Sequence, residues 1–228
     1  MKTKIIGEIG INHFGKREIL KQYIKNFNNK GLDGLSIQIL KKNKVNKKLE
    51  KFCLKKKDIE FFLTEARKYY KSVGVAIHTW DDFKFLSKQN IDFIKVLSSS
   101  FGNIEYIKKI KKLKLKKIFL STGGKSMKEI SKVTSKLNKK KIGLIYTFFN
   151  TMNFNNSIKN ISIMKKRIKI PVSYGNHFNK IDEIVKVKKH NPSEIFLYIK
   201  MNKNLNYPDN KHAVPLNKIA NMVKKLRK

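Results

Sequence analysis

The feature that most constrains this chain is a regular alternation of short apolar runs with longer, lysine-rich amphipathic ones. Apolar, β-branched runs with strand composition fall at residues 5–9, 34–40, 75–78, 93–97, 117–120, 142–147, 172–174 and about 195–199. The stretches between them read as helices. Residues 16–29 place Ile19, Leu20, Tyr23, Ile24 and Phe27 on one face, the spacing of a core-facing stripe, and Gly31 follows as a stop. Asp58 reads as the cap of a helix running to about Ser72, after a polar, lysine-rich loop to about Lys56. Further helices are expected at 82–88 (short), 103–112, from Ser126 onward with a Ser126/Glu129 capping box, at 181–189 and at 215–226, the last opening on proline. An asparagine-rich loop and a weak helix precede the seventh strand. Strict β/α alternation implies a parallel sheet, and eight units in 228 residues imply a single-domain (β/α)8 TIM barrel of the α/β class. An open doubly wound sheet is the alternative.

Composition narrows the function. The single cysteine, Cys53, excludes an internal disulfide and a multi-cysteine zinc site. No apolar run approaches the roughly 20 residues of a membrane span, and the N-terminus shows no signal-peptide pattern, so a cytoplasmic location is expected. The formal charge of +37 implies non-specific polyanion binding at low salt. The lysines are spread along the chain, however, beside abundant Asn, Ile and Phe, and no patch of arginine with interleaved aromatics is present. A/T-rich codon usage accounts for that composition equally well.

In a TIM barrel the chemistry sits at the C-terminal ends of the strands. Those ends hold Glu8, Asn12 and His13, then Gln38, then His78 and Thr79, then Lys95 to Ser98, then Ser121, Thr122 and Gly123, then Tyr146 and Thr147, then His177, and finally Tyr198 and Lys200. Glu8 is a carboxylate in an otherwise apolar strand, which is costly unless it is paired or bound to a ligand. The hydroxyl and glycine cluster Ser121-Thr122-Gly123-Gly124, ahead of a helix N-terminus, suits an oxyanion or phosphate, and Lys95 could add a point charge. Ser98, Ser99 and Ser100 read equally as a polar loop. His177 could be a metal ligand or a general acid/base. His190 is expected at the surface, and His13, His78 and His212 complete the histidines.

The order of these motifs resembles the sialic acid synthase family, which condenses phosphoenolpyruvate with an N-acylated amino sugar. The resemblance rests on Glu8-Ile9-Gly10-Ile11-Asn12-His13, on Leu120-Ser121-Thr122-Gly123, on Tyr174-Gly175-Asn176-His177, and on Asn202-Lys203-Asn204-Leu205-Asn206-Tyr207-Pro208-Asp209. It implies a barrel with its site at the C-terminal mouth. Thr79, Lys95, Ser98 and Ser121 would hold the phosphate of phosphoenolpyruvate, Glu8 and His177 would be catalytic, and Asp209 would contact the sugar. His177 would also be one of two ligands to a divalent metal, manganese or magnesium. A homodimer is a further expectation. Several family positions differ. Ser36 stands for a lysine, Phe148 for an asparagine and Gly175 for a serine, and Tyr198 replaces the second metal histidine. The chain ends at Lys228, with no C-terminal antifreeze-like domain expected. The competing reading is therefore a degenerate, non-catalytic barrel that binds a phosphorylated ligand or scaffolds a related synthase.

Overall fold

The computed structural model describes residues 3–78, 81–148, 154–178, 180–201 and 205–228. Eight parallel strands close into a barrel: β1 (Lys4–Glu8), β2 (Gly34–Gln38), β3 (Ser72–Ile77), β4 (Phe93–Val96), β5 (Lys117–Ser121), β6 (Ile142–Tyr146), β7 (Val172–Asn176) and β8 (Glu194–Lys200). They pair in sequence order, and β1 pairs with β8, with Glu8 opposite Tyr198. The helices are α1 (Arg17–Phe27), α2 (Lys56–Arg67), α3 (Ile104–Lys111), α4 (Met127–Ser135), α5 (Phe154–Ile168), α6 (Ile181–Lys186) and α7 (Leu216–Arg227). A 3₁₀ segment, Asp81–Lys88, stands between β3 and β4 where a short helix is expected from the sequence.

The stripe read from α1 is its buried face, formed by Leu20, Tyr23, Ile24 and Phe27. The capping box of Ser126 and Glu129 is formed at α4. Three expectations are corrected. Helix α2 is capped at Lys55, not Asp58. Asp58 is buried in its first turn and holds Arg17 at 2.6 Å, a partner the local pattern cannot reveal. That helix also ends well before Ser72, which already belongs to β3. The weak helix ahead of β7 is the 15-residue α5, with five apolar side chains buried. A two-residue strand β9 (Val214–Pro215), missed in the sequence, pairs with the end of β8.

Strand alternation explains the barrel interior. Ile6, Phe93, Phe119, Ile145 and Phe196 form one buried layer, with the three rings packed edge to face at centroid distances of 5.0–5.8 Å. Small residues make room for them: a Cβ on Gly74 would strike the Phe93 ring, and one on Gly143 would lie 3.1 Å from Phe119. Two residues further along each strand, the same inward direction carries Glu8, Lys95, Ser121, Thr147 and Tyr198, all of them buried. An apolar floor thus supports a polar layer at the C-terminal mouth.

Candidate active site

Glu8 and Lys95 dominate the polar layer. The Lys95 ammonium bonds both carboxylate oxygens of Glu8, at 2.7 and 2.8 Å, and neither side chain reaches solvent appreciably. The aromatic faces of Phe196 and Tyr198 lie 5.7 and 5.5 Å from the ammonium. The strand-one carboxylate and the strand-four lysine, separate expectations from the sequence, are one ion pair. Ser36, in register with Glu8 on β2, carries a buried hydroxyl with no hydrogen-bond partner. An orphaned hydroxyl costs about 1–3 kcal/mol and marks capacity for a ligand or water.

The signature after β1 works as a clamp. The Asn12 side chain donates to the carbonyl of Ile199 at 3.0 Å and accepts from the backbone of Asp209 at 2.9 Å. The backbone N–H of Ile11 donates to Asp209 Oδ2 at 3.1 Å. Gly10 has φ +59°, and any Cβ there would collide with Asp209 and Tyr198, so glycine is required on both counts. His13 Nδ1 accepts from Gly15 N–H at 3.0 Å, which leaves Nε2 to donate to the Gln38 carbonyl at 3.2 Å. His13 is therefore a structural tie, and burial lowers its pKa to about 4. Asp209, held by these bonds over the mouth, is pushed up to about 6 by burial first, with Glu8 adding to the rise.

The remaining expected residues divide. Ser121 is buried and points inward above Phe119. Thr122 is structural, its hydroxyl donating to the Ile145 carbonyl at 3.1 Å. The start of α4 already carries the Glu129 carboxylate, which accepts from Ser126 N–H at 2.7 Å and from the Ser126 hydroxyl at 2.8 Å. Part of the anion capacity expected there is thus taken up within the chain. Ser98 is half-buried at the end of β4, while Ser99 and Ser100 hold His78 through its ring and its carbonyl. Thr79 lies outside the described residues. His190 is not at the open surface: it is half-buried and bonded to Ser162 at 2.9 Å. At Gly175, a serine Cβ would meet Thr147 Oγ1 at 2.5 Å and Ile145 Cγ2 at 2.8 Å. Thr147 fills the space the family serine would use.

His177 lies beside a residue the sequence reading did not select. Its ring centroid is 4.4 Å from that of His212, and Tyr198 borders both rings at 5.2 and 4.5 Å. His212 Nε2 is buried without a hydrogen-bond partner and stands 3.8 Å from Asp209 Oδ1. The signal for His212 was available: it follows Asp209 by three residues in one turn. Burial lowers His177 to about 3 and His212 to about 4, with Lys95 contributing to both, so both imidazoles are neutral at ordinary pH. Burial drives the Tyr198 phenol well above its usual range, with Glu8 and Asp209 reinforcing the rise. Tyr198 is thus a neutral wall and not a replacement ligand.

The two imidazoles and Asp209 were tested as cation ligands. Among the described residues, no three His, Cys, Asp or Glu side chains already converge as a closed metal shell. Two imidazoles sharing an ion at about 2.1 Å and near right angles would hold their centroids roughly 4.6 Å apart. The observed 4.4 Å matches that spacing, and the orphaned Nε2 faces a carboxylate. The donors present fit a divalent cation through His177 and His212, with a small inward adjustment.

A roomy recess of about 860 Å³ opens at the opposite end of the barrel, beneath Phe93 and Phe119. Its lysines are already engaged, Lys116 with Asp92 at 2.7 Å and Lys117 with Glu194 at 2.8 Å. The chemistry-bearing groups are all at the other end. No described helix is long and apolar enough to cross a membrane.

Comparison with known proteins places this geometry among relatives. The sequence profile of the NeuB family matches residues 25–228. N,N'-diacetyllegionaminic acid synthase of Campylobacter jejuni is 25% identical over 245 residues, covering 93% of this chain and 72% of that protein. An N-acetylneuraminic acid (sialic acid) synthetase from Leptospira borgpetersenii, solved with citrate, superposes with a TM-score of 0.86 at 18% identity, covering 99% of this chain and 83% of the other. A truncated 3-deoxy-D-arabino-heptulosonate 7-phosphate synthase from Thermotoga maritima superposes at 0.74 and 17% identity, covering 99% and 85%. At these identities the superpositions show a common fold.

Proposed function

The chain belongs to the NeuB family, and from that membership we propose that it joins phosphoenolpyruvate to the aldehyde of an N-acylated amino sugar, in sialic or related nonulosonic acid biosynthesis. One observation carries the reading: a buried carboxylate and lysine on opposite strands, Glu8 and Lys95, underlie a mouth lined by His177, His212 and Asp209. Lys95, with Ser98 and Ser121, provides positive charge and donors for the phosphate. The enol carbon of phosphoenolpyruvate attacks the aldehyde carbon. Asp209, with a pKa of about 6, suits delivery of a proton to the resulting alkoxide. Water then adds to the former enol carbon and phosphate leaves, with Glu8 placed to accept the proton of that water. A divalent cation bound beside His177 would polarise the aldehyde oxygen.

The purified protein is incubated with phosphoenolpyruvate, manganese and a panel of singly and doubly N-acetylated amino-sugar aldehydes, including N-acetylmannosamine. Release of inorganic phosphate that depends on the sugar is the expected result. No release with any sugar would sink this reading. One observation favours the non-catalytic alternative: the Lys95 charge is spent on Glu8 and shielded by Tyr198. Under that alternative phosphoenolpyruvate binds without turnover, which equilibrium dialysis with labelled phosphoenolpyruvate separates from catalysis.

A further inference from the structure

We propose that His212 has taken over the metal-ligand position vacated on β8, so that His177, His212 and Asp209 form a divalent transition-metal site at the barrel mouth. Tyr198 occupies the strand position where the motif comparison calls for a second histidine. An imidazole has returned to the same space from a different element. It is carried on the turn between β8 and β9, three residues after Asp209.

Three observations support this assignment. The first is the spacing of the two imidazoles, which matches two ligands in adjacent coordination positions. The second is the uncommitted Nε2 of His212, a buried nitrogen that no protein donor or acceptor satisfies. The third is the division of labour within Asp209. Its Oδ2 is engaged by the Ile11 N–H and its backbone by Asn12, while Oδ1 turns toward His212. Two ligands at about 2.1 Å lie roughly 3 Å apart at a right-angle coordination site, so the 3.8 Å between Nε2 and Oδ1 closes by less than an ångström. Second-shell bonds that fix a ligating carboxylate are the usual companions of a metal site. The Asn12 clamp supplies them.

The ligand set is two imidazole nitrogens and one carboxylate oxygen. Such a set prefers manganese, iron, cobalt or zinc over calcium, which takes oxygen donors. Lys95 is the nearby cation that would oppose binding, and Glu8 neutralises it through both carboxylate oxygens. The Tyr198 ring, edge-on to both imidazoles, closes one side and leaves the mouth for a substrate oxygen.

The test is binding and not turnover. Chelator-treated full-length protein is titrated with Co²⁺ and with Mn²⁺, read by visible absorption and by electron paramagnetic resonance. One bound ion per chain with nitrogen coordination is expected. His212→Ala, His177→Ala and Asp209→Asn should each weaken binding by at least roughly tenfold, whereas His190→Ala should leave it unchanged. Unfolding of each variant without metal is recorded, so that a fold defect is not read as a lost ligand; for any variant that unfolds, the asparagine replacement His212→Asn or His177→Asn is titrated instead. Wild-type affinity in folded His212→Ala overturns the proposal, as does the absence of any stoichiometric ion in the parent protein. A failed condensation assay alongside an intact Co²⁺ spectrum would sink the synthase reading and leave this site standing. Turnover with no bound ion would do the reverse.

Discussion

Replacing Lys95 with methionine isolates the energetics of the polar layer. The parent pair is in contact at 2.7 Å and both partners are almost wholly buried. With an effective dielectric of about 20, that contact is worth about 6 kcal/mol of Coulomb attraction, set against several kcal/mol of desolvation for each ion. The net value of the pair is therefore small. Losing one partner is not small, because the other charge stays buried and uncompensated. Lys95→Met should destabilise the barrel by about 3–5 kcal/mol. At roughly 2–4 °C per kcal/mol for a chain of this size, the melting temperature should fall by about 10 °C. The double variant Glu8→Leu/Lys95→Met removes both charges and should return to within about 1–2 kcal/mol of the parent, while losing activity completely. Urea unfolding followed by circular dichroism measures all four corners of the cycle. A double variant as unstable as Lys95→Met would refute the reasoning, since the instability would then come from lost packing and not from a stranded carboxylate.

Other expectations follow from the same contacts. His13 has a pKa of about 4 against 6.5 in the unfolded chain, so its contribution to stability is complete above pH 6.5 and lost as the pH falls through 4. That difference amounts to about 3 kcal/mol, and His13→Gln should flatten the acid limb of a stability–pH curve; an unchanged limb would show that other groups carry it. Gly175→Ser should cost about 1–3 kcal/mol through overpacking against Thr147, and Thr147→Ala should recover part of that in the double variant. If Asp209 delivers a proton, kcat/KM should decline above pH about 6, and Asp209→Asn should abolish that limb along with most of the rate. An unaltered pH profile in the residual activity of the variant would remove Asp209 from that role.

The barrel was legible in the sequence because its determinants are local. Period-two strands, the α1 stripe and the Ser126/Glu129 box all lie within a few residues of one another. What escaped was non-local or too short. The Glu8–Lys95 pair spans 87 positions, and Asp58 looked like a cap because its partner Arg17 lies 41 positions away. Strand β9, at two residues, carries no periodicity at all. His212 was passed over because motif comparison asks for a histidine at Tyr198, whereas space in the folded chain can be filled from another element. The inward direction of Ser36 and Ser121 was recoverable, since each follows a neighbouring floor position by two residues.

The aromatic floor has a consequence for traffic. Phe93, Phe119 and Phe196, with Ile6 and Ile145, seal the barrel between its mouth and the recess beneath. The protein is a cup and not a pipe. Substrates, water and protons that reach Glu8 must enter and depart over the same rim. The order of arrival then matters: whatever settles deepest, against Lys95 and Ser121, must come in before the partner that lies above it, and must go out after it.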